Sequence, residues 1–138
     1  MSTESKEACA EGVCNPNFSN TTIAQPKKGE DITLIKLQGP GVFIAAEVSK
    51  QGGANGVTFV SLVIDGRPVV NKSYAGAKNV GLTQYNPFGI VLLKTNAFDN
   101  FTIGFPTPLR FERELVLSVR VDEADVLQIV ARVVHGSA

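Results

Sequence analysis

From residue 109 to residue 122 the chain reads "LRFERELVLSVRVD", and its apolar residues fall on alternate positions. Leu109, Phe111, Leu115, Leu117, Val119 and Val121 share one parity; Arg110, Glu112, Glu114, Ser118, Arg120 and Asp122 share the other. A period of two is what a strand imposes, because successive side chains leave opposite sides of the pleat. Only Arg113 and Val116 break the alternation. "DEAD" (122–125) then reads as a turn, and Leu127, Ile129, Ala131 and Val133 alternate with Gln128 and Arg132 in a returning strand. The segment reads as an antiparallel hairpin with one buried side.

The same logic extends upstream. Apolar runs broken by Gly, Pro, Asn and Asp predict strands near 32–37, 42–49, 57–64, 68–73, 89–94 and 101–105, and no stretch holds a helical period of useful length. In "VTFVSLVIDGRPVV", Asp65 and Gly66 supply the positive φ angles of a tight turn between two strands. The expected fold is an all-β, antiparallel two-sheet sandwich of about eight strands, with a jelly roll preferred and an immunoglobulin-like Greek key second. A chain of 138 residues, 43% hydrophobic, suits one core. Residues 1–30 are polar, with Phe18 and Ile23 as their large apolar side chains, and read as a flexible or partner-ordered arm before a sandwich domain over 31–138.

Thirteen Lys and Arg balance thirteen Asp and Glu, so the basic excess that drives nonspecific nucleic-acid binding is missing. The start, "MSTESKEACAEGVC", carries no basic-then-apolar leader, and no apolar stretch reaches the roughly 18 residues of a membrane span. Neither nucleic acid nor membrane is expected as a partner. Cys9 and Cys14 lack both thioredoxin-like and zinc-like spacing; they fit a disulfide, local or intermolecular, or two inert thiols. His135, the one histidine, stands at the chain end, where disorder is common, and is not expected to serve as the base that a Ser or Cys nucleophile needs. Glu112 and Glu114 interleave with Arg110 and Arg113 as on a solvated strand face, and Glu123 and Asp125 fall in a turn. With no phosphate loop, dinucleotide fingerprint or metal motif, the sequence points away from an enzyme and implies no cofactor.

Aromatic side chains cluster in residues 85–111. Phe101, Phe105 and Phe111 fit the core of predicted strands, whereas Tyr85, Phe88 and Phe98 sit in loop-like surroundings, either as interface residues or as plugs at the ends of the sandwich. Strand 57–64 is apolar on both sides: Thr58, Val60, Leu62 and Ile64 on one, Val57, Phe59 and Val63 on the other. Strand 42–49 places Phe43 and Ala45 opposite Val42, Ile44, Ala46 and Val48. With no helix expected to cover an outer face, a second copy is the natural cover, so Phe59, Tyr85, Phe88 and Phe98 are interface candidates in a homo-oligomer, expected to be a trimer.

The strings "LIKLQGPGVFIAAEVS", "VTFVSLVIDGRPVV" and "PLRFERELVLSVRVDEADVLQIVARVV" together resemble the β-sandwich domains of tailed-bacteriophage structural proteins, over roughly residues 32–134. The shared features are a G-x-G strand start, a strand ending in "IDG", and a last long strand paired with the C-terminal one. The resemblance implies a virion component, such as a capsid-decoration, spike, collar or fibre protein, made in the host cytoplasm. Its partners would be further copies and other virion proteins such as a major capsid protein. It carries over no catalytic residue. A second reading is a lectin-like or tumour-necrosis-factor-like jelly roll, stacking a glycan on Tyr74, Tyr85 or Phe88 with Gln84 and Asn86 as polar partners. The N-x-[ST] sequons at Asn17, Asn20, Asn71 and Asn100 read as chance matches.

Overall fold

The computed structural model describes residues 9–10, 13–84, 89–94 and 98–137. Its elements run β1 (Cys9–Ala10), β2 (Val13–Ala24), β3 (Asp31–Gln38), β4 (Gly41–Gly52), β5 (Thr58–Ile64), β6 (Arg67–Ser73), α1 (Tyr74–Asn79), β7 (Ile90–Lys94), β8 (Phe98–Ile103), β9 (Leu109–Phe111), β10 (Glu114–Val121) and β11 (Val126–Ser137). One sheet, A, has the order β1-β2-β11-β4-β8-β7 with β9 also on β4; the other, B, has the order β3-β10-β5-β6. All pairings are antiparallel.

Four of those pairings are nested: β5 with β6, β4 with β8, β3 with β10 and β2 with β11. The chain is thus one long hairpin bent at Asp65 and Gly66 and rolled so that alternate pairs fall in opposite sheets. That is the jelly roll, and it excludes the immunoglobulin-like order. The bend is the expected two-residue turn: Asp65 and Gly66 have φ of 51° and 81°, and Ile64 faces Arg67 across it.

Between the sheets lie Phe43, Phe101, Phe111, Leu62, Leu115, Leu117 and Ile129, all at most 2% exposed. Phe105 packs against this core and meets Phe43 edge-on. Phe43 is where the sequence reading erred. A bulge between the Val134 and His135 pairings shifts the phase of β4, so Phe43 turns inward with Ala46 and Val48, and Ala45 turns out.

Three further expectations change. The stretch 109–121 is two strands, because the chain leaves sheet A after Phe111 and enters sheet B at Glu114; the break at Arg113 marks that crossing. β10 and β11 likewise lie in different sheets, so "DEAD" joins two layers and does not close a hairpin, and the last long strand does not pair with the C-terminal one. Alternation shows which side of a strand is buried but not which strand lies beside it.

The segment expected to be an arm contains β2, which runs along β11 from Ala24 to Cys14. An edge strand is held by main-chain hydrogen bonds, so its polar composition does not disqualify it. The region 74–79, read without a helix, forms the single turn-and-a-half of α1, capped by Ser73 Oγ accepting from Gly76 N at 2.9 Å.

Candidate functional site

At the end of the sandwich where β4, α1, β8 and the 122–125 connection meet, the inward parity of β4 passes from Ala46 and Val48 to Lys50. Lys50 is therefore driven into the core, 2% exposed, and Glu123 from the connection meets it there, also 2% exposed. Lys50 Nζ lies 3.1 Å from Glu123 Oε2 and donates to Gly52 O at 3.1 Å, with the Tyr74 ring 5.0 Å away.

Glu123 is saturated. Its Oε1 accepts from Asn55 N at 3.2 Å and Gly56 N at 3.0 Å, and its Oε2 accepts from Thr58 Oγ1 at 2.6 Å as well as facing Lys50. Burial opposes ionisation, but the hydrogen bonds from Thr58 and Gly56 and the Lys50 ammonium outweigh it, so the carboxyl lies below its ordinary value. Gly53, at φ 106°, lets the loop pass so close that a Cβ there would collide with the carboxylate. The arrangement ties β4, the 53–57 loop and the 122–125 connection together, and leaves Glu123 no lone pair aimed at solvent.

Beside this clamp is a hollow of about 430 Å³ whose polar lining includes Asn55, Lys78, Asn79 and Asp99. Tyr74 closes its floor and cannot stack a sugar: it is 2% exposed, donates to Val48 O at 2.7 Å and packs edge-on to Phe101. Burial, then the carboxylates of Asp99 and Glu123, hold its phenol well above the ordinary value.

The other expected residues fall elsewhere. Phe59 is half-buried on the outer face of sheet B, beside Arg120 and Ser73 in register. Phe98 opens β8 and is half-buried opposite Gln51, so it is a strand residue and not part of a loop. Tyr85, Asn86 and Phe88 lie outside the described residues. Cys14 is disulfide-bonded, and Cys9, the one other cysteine of the chain, is its register partner across the β1–β2 hairpin.

His135 is half-buried, 3.1 Å from Ser19 Oγ through Nε2, and burial pulls its pKa below the ordinary 6.5. Asp65 does more than turn the chain. Its carboxylate accepts from the main-chain N–H of Glu112, Arg113 and Glu114 at 2.8, 2.8 and 3.0 Å, which lowers its pKa and pins the crossing from β9 to β10. Reading the sequence missed Lys50; the available signal was a lysine on the apolar parity of a strand.

Both outer faces carry apolar side chains. On sheet B, Val116, Val63 and Pro68 form one cross-strand row. On sheet A the row is Phe18, Val134 and Ala45, with Phe18 56% exposed. Among the described residues no group of three metal-ligating side chains is found, and no helix is long and apolar enough to cross a membrane. No protein-family model and no curated protein matches the sequence.

Proposed function

We propose that this chain is a non-enzymatic structural protein of a virion, a decoration, spike, collar or fibre-associated component that works by assembling with copies of itself and docking on other virion proteins. The observation that carries the reading is the pair of apolar rows on the outer faces, Val116–Val63–Pro68 and Phe18–Val134–Ala45. Among the described residues Phe18 and Pro68 are exposed and the other four are half-buried, and apolar side chains left on the outer faces of a two-layer sandwich fit an interface. The jelly roll is also an architecture of capsid domains, which agrees with the reading without carrying it. A trimer is the expected assembly, with a major capsid protein as a further partner.

The test is light scattering on the purified chain at micromolar concentration, joined to mass spectrometry of purified particles. A trimeric mass and the presence of the chain in particles support the reading; a strictly monomeric chain absent from particles overturns it. A second reading, a glycan-binding module, rests on the hollow beside the clamp, where Asn55, Lys78, Asn79 and Asp99 offer donors and acceptors for hydroxyl groups. A glycan array distinguishes the two.

A further inference from the structure

We infer that the outer face of sheet A is the surface through which copies of this chain associate, with Phe18 of one copy seated in a hollow on the next. The inference rests on the homo-oligomeric part of the proposed function and names the surface that serves it.

The two outer faces differ in charge. Sheet B points Asp31, Lys36, Glu114 and Arg120 outward, and Asp122 lies beside Arg120. The outward positions of the described β2, β11, β4 and β8 registers carry one cation and one anion, Arg132 and Glu47, which face each other in register and pair at 3.3 Å. Depletion of charge with retention of an aromatic anchor is the compositional mark of an interface core. A face with no net charge can meet a copy of itself without like-charge repulsion.

Shape agrees with charge. Phe18 is 56% exposed although its register neighbour is Val134, so the ring stands up from the sheet. Val134 and Ala45, next in the same row, line a hollow of about 270 Å³ together with Val91, Thr102, Gly104 and the Arg132–Glu47 pair. The hollow is large enough for a phenyl ring. Knob and hollow therefore lie on one face, about one strand spacing apart.

Because the ring and the hollow are distinct but adjacent patches, the ring of one copy can seat in the hollow of the next when the two faces meet.

The test uses the full chain. The mass and dissociation constant of the wild type are measured by sedimentation equilibrium beside Phe18→Ser, Ala45→Arg in the hollow, and Val116→Lys on sheet B, with circular dichroism of each variant to verify the fold. The expected result is an oligomer for the wild type and Val116→Lys. Phe18→Ser and Ala45→Arg should each associate at least about tenfold more weakly with unchanged strand signal. If the wild type is oligomeric and only Val116→Lys dissociates it, the assignment to sheet A is overturned while the assembly reading stands. A monomeric wild type overturns both. Ala45→Arg keeps the test decisive if Phe18→Ser disturbs the edge strand.

Discussion

The ammonium of Lys50 stands 3.1 Å from the carboxylate of Glu123, and neither side chain is more than 2% exposed. A buried pair of this kind contributes less than its Coulomb attraction, because both ions lose their hydration; breaking it is the costly event. Glu123→Ala leaves the Lys50 ammonium with Gly52 O and the Tyr74 ring, and should cost about 3–5 kcal/mol in urea denaturation. Lys50→Met should cost less, since Thr58, Asn55 and Gly56 still hold the carboxylate. A loss below about 1 kcal/mol for Glu123→Ala would place the pair among solvated ones.

Stability should fall in two stages as the solution is acidified. His135 is held below 6.5 by burial, so the unfolded chain takes up its proton first, and stability declines as pH falls through 6.5 toward the folded value. Glu123 and Asp65 are held below 4.5 and 3.8, so their contribution is complete above those values and disappears as pH falls through the lower folded ones. His135→Asn should remove the first stage alone. Melting curves between pH 8 and pH 3 check this, and a first stage that survives in His135→Asn would assign it elsewhere.

Asp65 and Gly66 should separate a conformational effect from a hydrogen-bonding one. Gly66→Ala places a side chain at φ 81° and should cost about 1–2 kcal/mol. Asp65→Ala should lower the melting temperature by releasing three main-chain donors at the β9–β10 crossing, and Asp65→Asn should recover part of that loss. Hydrogen exchange at Glu112, Arg113 and Glu114 is the direct measurement; unchanged protection in Asp65→Ala would show the crossing to be held by other means.

Removing residues 1–24 should destabilise the sandwich and promote aggregation, since it deletes β2 and bares one side of β11. A polar arm would leave the melting temperature unchanged on deletion. An unaltered melting temperature in the truncated chain would therefore return this segment to the status of an arm.

The all-β class, the strands near 32–37, 57–64 and 68–73 and the Asp65–Gly66 turn were determined by the sequence itself, because strand alternation and turn conformation depend on residues within a few positions of one another. Ile129, Ala131 and Val133 could be assigned to a buried side without knowing their neighbours. Which strands lie side by side was decided only by the tertiary structure, since β10 and β11 satisfy their alternation equally well in one sheet or in two. The bulge that turns Phe43 inward, the docking of a polar β2 on β11, and the meeting of Lys50 with Glu123 across 73 positions belong to the same class. Each depends on long-range main-chain pairing and on space between the sheets, and beyond the lysine on an apolar strand parity these leave no local pattern to read.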